Sequence, residues 1–143
     1  MSSSDPQTMP DRALPDQRLG SGGPWEERYG YARVVRRGSV VVVSGCTAMA
    51  EEGYVIGGVS VYDQAREAME RVTHALDRVG AGLADLVQTR MFVTDIERAD
   101  EVGRAHREMF GEHPPAASMV EVTRLIDPRL LVEVEALAIV GAQ

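Results

Sequence analysis

The chain has a single cysteine, no block of basic residues, no apolar run of membrane-spanning length and no pair of histidines at metal-ligand spacing. Each shortage removes a class of protein. A lone Cys46 cannot close an internal disulfide, so a disulfide-stapled scaffold is excluded. A spanning helix needs about 20 apolar residues in succession, and none occurs, so no membrane association is expected. The formal net charge is -7 and the arginines are scattered, an unfavourable balance for a phosphate backbone, so no nucleic-acid partner is expected. His74, His106 and His113 stand far apart without Cys or acidic companions at ligand spacing, and no metal is predicted. The first residues lack a basic segment followed by an apolar core, and with the single thiol this points to a reducing, cytoplasmic setting.

What remains is enough for one domain: 143 residues can bury most of the surface their unfolded form exposes. Residues 1–23 are rich in Ser, Pro, Gly and Asp and have no apolar periodicity, so a flexible N-terminal segment is expected, with a single domain over 24–143 and order starting near Trp25. GYARVVRRGSVVVVSG reads as a hairpin, Tyr31 to Arg36 and Val40 to Val43 about a turn at Arg37-Gly38, and four successive valines predict that both sheet faces are dry there. A short strand is expected at Tyr54 to Ile56.

A helix is predicted from Val61 to Val79, where Ala65, Ala68, Met69, Val72, Ala75, Leu76 and Val79 recur at helical spacing; Ser60 caps it and Gly80 stops it. Leu86 to Thr94 reads as a strand. Asp95 then caps a helix from Glu97 to Phe110 with the stripe Ala99, Val102, His106, Met109 and Phe110. HPPAASMVEV and LLVEVEALAIV supply two closing strands. The order predicts an α+β fold, two helices on one face of a mostly antiparallel sheet.

Those closing strands carry Glu121, Glu133 and Glu135 inside apolar runs. Strand parity puts Val132, Val134, Ala136 and Ala138 on one face and Leu131, Glu133, Glu135, Leu137 and Ile139 on the other. The strand before splits into Val87, Thr89, Met91 and Val93 against Gln88, Arg90, Phe92 and Thr94. Two helices cover one face only. The second, mixed face is therefore expected to meet further copies of the chain, with Arg90, Arg33 or Arg124 compensating the carboxylates.

The blocks GYARVVRRGSVVVVSG, LVQTRMFVTDI, FGEHPPAASMVEVTRL and LLVEVEALAIV, in that order and spacing, resemble the RidA (YjgF/YER057c/UK114) family over nearly the whole chain from Trp25 onward. The resemblance implies a chorismate-mutase-like fold, a homotrimer, small-metabolite clefts between subunits and no cofactor. It also implies hydrolysis of reactive 2-imino and 2-enamino acids to 2-keto acids and ammonia. Matched residue by residue, Tyr31 falls on the family's cleft-lining Tyr, Gly45 on the Gly of its S-G turn and Glu133 on the Glu held to activate water. Cys46 follows that turn where Gln is usual, Gly30 replaces a Pro, and Arg33 replaces a Gln.

Ala117 stands where the family has the Arg that grips the substrate carboxylate, a loss of roughly 1.5–3 kcal/mol of charge-assisted binding, at least about tenfold. Arg90, on one face with Phe92, reads either as a relocated grip in the cleft or as the ion-pair partner of Glu133 or Glu135. Glu133 reads either as a general base with a raised pKa or as a structural ion-pair partner, and Glu121, beside Met119, as an extension of the same network. The candidate site is thus Glu133 as the catalytic residue, with Tyr31, Gly45, Cys46, Arg90, Phe92, Ala117 and Met119 as substrate-binding residues. Two functions stay open, a divergent imine or enamine deaminase and a non-catalytic metabolite-binding or accessory protein. RNA cleavage, an old label for some family members, fits the acidic balance least.

Overall fold

A computed structural model describes residues 16–141. Its elements run β1 (Gln17–Leu19), α1 (Pro24–Tyr29), β2 (Val34–Arg37), β3 (Val40–Cys46), α2 (Val61–Arg78), β4 (Leu86–Val93), α3 (Ala99–Phe110), β5 (Ala116–Glu121) and β6 (Val132–Ile139). One six-stranded sheet forms in the order β1-β2-β3-β6-β4-β5. Only β4 and β5 pair in parallel, across the crossover that contains α3; the other neighbours are antiparallel. This is the expected α+β class.

The long helix follows from its periodicity. Every residue of the predicted stripe, from Ala65 to Val79, is buried, and the Ser60 side chain accepts a hydrogen bond from the Asp63 N–H at the N-terminus. One polar residue joins the stripe. Gln64 is wholly buried; its amide donates to the carbonyls of Gly58 and Arg129 and accepts from the Leu131 N–H, which ties the 57–60 and 127–131 loops to α2. In α3 the buried positions are Val102, Ala105 and Phe110, while His106 packs edge-on against Phe110 and shares a 2.7 Å hydrogen bond with buried Thr89. Alternation in β6 is as predicted: Val132, Val134, Ala136 and Ala138 face the helices and are buried.

Several expectations are corrected. Order does not wait for Trp25: Gln17–Leu19 already pairs with β2 as an edge strand, its backbone bonds needing no apolar pattern, whereas residues 1–15 of the expected flexible segment lie outside the described residues. PWEERY forms a short third helix, too brief for periodicity to signal. The hairpin strands are shorter at the Tyr31 end, beginning at Val34, with Gly38 at φ +59° in the turn. Tyr54 to Ile56 makes only the isolated bridge Met49 to Val55, and a single 3-10 turn at Ile96–Arg98 separates Asp95 from α3.

The valine run is dry on one face only within the chain. Val41 and Val43 are buried, but Val40 and Val42 are 42% and 48% exposed. Val87 is exposed rather than buried because the β4–β6 register shifts between Leu86 and Gln88, so Leu86 and Thr89 take the inward positions. Among the described residues no helix is long and apolar enough to cross a membrane.

Candidate functional site

The site begins at a fault in the sheet. The β3–β6 register shifts between Val43 and Cys46, which lifts Ser44-Gly45 off the ladder. Arg33, just ahead of β2, holds this bulge: its Nη1 donates to the carbonyls of Ser44 (3.2 Å) and Gly45 and lies 3.6 Å from the Cys46 sulfur. The Ser44 hydroxyl donates to the Ala32 carbonyl at 2.7 Å. Arg33 also stacks 5.7 Å from the Tyr31 ring centroid, and its Nε donates to Glu26 of α1 at 3.4 Å.

Glu26 is buried, and the Ser21 N–H and hydroxyl both donate to its carboxylate. Burial pushes its pKa up, but the Ser21 hydrogen bonds and the Arg33 charge outweigh that and hold it below the ordinary value. The linkage is that of a depressed carboxylate. The stabilisation is present above the unfolded-state pKa and is lost as pH falls through the lower folded value. Glu26→Gln is expected to cost about 1–2 kcal/mol at neutral pH. In urea melts followed from pH 7 downward, the gap to wild type should close once both side chains are neutral.

Glu133 comes from the uncovered face of β6 and lies over Gly45. A Cβ added to Gly45 would meet Glu133 Oε2 at 1.8 Å and Cδ at 2.7 Å, so only glycine leaves room for the carboxylate. None of the described residues donates a hydrogen bond to that carboxylate. Burial raises its pKa, the Glu135 charge adds to the rise, and the Arg33 charge opposes it without cancelling it. Burial also pushes the Cys46 thiol up, against the pull of Arg33, so the sulfur stays protonated and is no thiolate nucleophile.

Tyr31, Gly45, Cys46 and Glu133 line one cavity of about 810 Å³, within the size range of small-molecule sites. The other sequence candidates do not. Arg90 pairs with Glu135 on the neighbouring strand, Nη2 to Oε1 at 2.8 Å and Nε to Oε1 at 3.0 Å, so within the chain it is an ion-pair partner and not a grip in this cavity. Phe92 sits across the ladder from Glu133; Ala117 and Met119, on edge strand β5, pair with Thr89 and Met91. Glu121 does not extend the network: its carboxylate accepts from the Ile96 N–H at 3.0 Å. The three carboxylates thus have three different settings, a backbone N–H for Glu121, an arginine for Glu135 and neither for Glu133.

Sequence reasoning missed the rest of the wall. Trp25 and Glu26 come from α1, and Arg71, His74 and Arg78 from α2. The signal was available, since positions 71, 74 and 78 repeat at helical spacing, but they flank a core stripe and read as its solvated edge. Among the described residues no cluster of His, Cys, Asp and Glu is arranged to hold a metal.

A six-stranded, mostly antiparallel α+β sheet packed against helices, with a cavity where the bulge within β3 meets a glutamate of β6, defines a recognisable class of fold. Residues 25–140 match the family model described as Endoribonuclease L-PSP, and the chain belongs to this family, that of RidA and YjgF/YER057c/UK114. A crystal structure of a family member from Mycobacterium tuberculosis is similar at 46% identity and a TM-score of 0.80, covering 88% of this chain and 100% of that one. An uncharacterised protein of Streptomyces coelicolor is 36% identical over 126 residues, 88% of this chain and 93% of its own. The 2-iminobutanoate/2-iminopropanoate deaminase of Salmonella typhimurium is 35% identical over 114 residues, 76% of this chain and 86% of its own.

Proposed function

We propose that the protein hydrolyses the C=N bond of a reactive imine, formed as such or by tautomerisation of an enamine, in this cavity, with Glu133 as general base. The observation that carries the reading is the carboxylate itself: partly buried, raised in pKa, without a hydrogen-bond donor among the described residues, and seated on a glycine that leaves it space. Glu133 takes a proton from water as the oxygen attacks the imine carbon. That proton passes to the nitrogen to give the carbinolamine; the carboxylate then carries the carbinolamine's hydroxyl proton to the same nitrogen as the C–N bond breaks, and a carbonyl compound and ammonia leave. The 15 basic residues are all arginine, so no lysine is present to form a Schiff base, and the Cys46 thiol is protonated; the reading therefore needs no covalent intermediate. The name of the Salmonella relative supports the reaction class.

A second reading, ligand binding without turnover, draws on Ala117 at the position of the family's carboxylate-gripping arginine. The test generates 2-imino acids in situ from L-amino acids with an amino-acid oxidase and follows their disappearance. Acceleration over the spontaneous rate supports the hydrolase; a rate equal to the blank, with ligand binding retained, supports the second reading. The mixed charge of the cavity walls and the net charge of -7 favour a small molecule over RNA.

The assembly belongs to the same proposal. Val40, Val42 and Ile139, each between 42% and 48% exposed, share the helix-free face with Leu137 and Phe92. We take this face as the contact between copies in a homotrimer, which would bring the β5 residues of one copy, Ala117 and Met119, toward the cavity of another. Val42→Glu is expected to shift the mass measured by light scattering from three copies to one, because burying an unpaired carboxylate in each contact costs several kcal/mol.

A further inference from the structure

We propose that the acidic group of the ligand is received by Arg71 and Arg78 of α2, so that this helix, and not the β5 position held by Ala117, forms the anion-binding wall of the cavity. The inference rests on reading the cavity as a ligand site, and it assigns the ligand a class: an organic anion with its reactive carbon toward Glu133 and its acidic group toward α2.

Four arginines line the cavity, and their existing bonds separate them. Arg33 spends Nη1 on two backbone carbonyls and Nε on Glu26, and by holding Gly45 it stands at the Glu133 end of the cavity, where the reactive carbon and not the acidic group belongs. Arg129 is engaged with Asp127 through two parallel bonds, Nε at 2.9 Å and Nη2 at 3.0 Å, which use up the fork that a carboxylate would need. Arg71 donates from Nε to Glu67 and from Nη1 to the Met49 carbonyl, leaving Nη2. Among the described residues Arg78 donates only from Nη1, to the Gly20 carbonyl at 2.8 Å; no described carboxylate pairs with it, and no described acceptor takes Nε or Nη2.

Geometry brings those two together. Seven residues apart on a helix, they lie on nearly the same side with a rise of about 10.5 Å, within the convergent reach of two arginine side chains. Exposed His74 lies between them on the same wall. The bonds from Arg71 to Met49 and from Arg78 to Gly20 fix each guanidinium to a loop that borders the cavity, so little rotamer freedom remains to be lost on binding. Of the lining carboxylates, Glu26 and Asp127 are engaged with Arg33 and Arg129, so an anion at α2 has to avoid Glu51 on the rim and Glu67, the ion-pair partner of Arg71. The negative end of the α2 dipole opposes an anion near Arg78, and two guanidiniums outweigh the fractional charge of one helix end.

The test uses stable 2-oxo acids, pyruvate and phenylpyruvate, with the neutral ester methyl pyruvate, titrated calorimetrically into the full-length protein. Both acids should bind wild type, and Arg78→Gln and Arg71→Gln should each weaken them about tenfold or more. Arg78→Lys should recover part of the loss and Arg104→Gln should change nothing. Thermal melts of each variant check that the Gly20 tether has not unfolded the chain. Equal affinity for the ester and the acids, unchanged affinity in both Gln variants, or no binding by wild type would overturn the assignment. The two readings fail separately. Imine hydrolysis with unchanged kcat/KM in Arg78→Gln removes the clamp and keeps the hydrolase; Arg78-dependent binding without hydrolysis keeps the clamp and removes the hydrolase.

Discussion

Gly45→Ala is expected to reduce imine hydrolysis by about 100-fold or more while leaving a folded protein. A methyl group at this position would lie 1.8 Å from Glu133 Oε2, and no relaxation of a few tenths of an ångström accommodates that. Something must move, and the carboxylate end of Glu133 is the part free to do so, since no described donor holds it and a cavity of about 810 Å³ opens beside it. The backbone at Gly45 is pinned by Arg33 and is the less yielding side of the contact. The stability cost should therefore stay at about 1–3 kcal/mol, the range for an added methyl group that neighbours can absorb. The base, however, is displaced by more than an ångström from the water it activates. Far-ultraviolet circular dichroism and a urea melt would establish the fold, and kcat/KM the loss. A Gly45→Ala variant with wild-type turnover would mean that Glu133 works from another position or not at all.

The parts of the fold that were legible were those whose side chains repeat. The α2 stripe and the β6 alternation are consequences of 3.6- and 2-residue periods, and every predicted inward residue of both is buried. Elements without a repeat were lost: PWEERY is too short to show one, and Gln17–Leu19 is held by backbone bonds to β2. Val87 illustrates a different failure, because one register shift in β4 reverses every parity inference upstream of it.

The same division applies to the site. Tyr31, Gly45 and Glu133 were found through motif order, and they do share a cavity. For Arg90, parity assigns the face and leaves Glu133 and Glu135 as alternative ion-pair partners; the position along the strand, which parity does not give, makes the partner Glu135. Arg71 and Arg78 are not singled out at this level, because helical periodicity assigns the apolar stripe and leaves its flanks as solvated edges. Which edge of that stripe borders a cavity depends on the path of β1 and α1, which pattern alone does not reveal.

Glu133→Gln separates a catalytic carboxylate from a structural one, because the two roles predict opposite signs. If Glu133 is the base, the substitution removes about 100-fold or more of the rate enhancement, and the wild-type kcat/KM should rise with pH through a midpoint above the ordinary glutamate value of 4.5. Stability should move the other way. A carboxyl whose folded pKa is raised prefers its protonated form in the native state. Its ionisation therefore subtracts stability as pH climbs from the unfolded value through the folded one, and the deficit is complete above it. Glutamine has no such deficit, so the variant should be more stable than wild type at neutral pH and equal to it below about pH 4, where the glutamate is neutral in both states. A structural ion pair would give the reverse: lost stability at neutral pH with little change in turnover. Thermal melts and initial rates on the same samples across the pH range decide between them. An inactive, more stable variant would place the cost of a poorly solvated charge where the chemistry uses it.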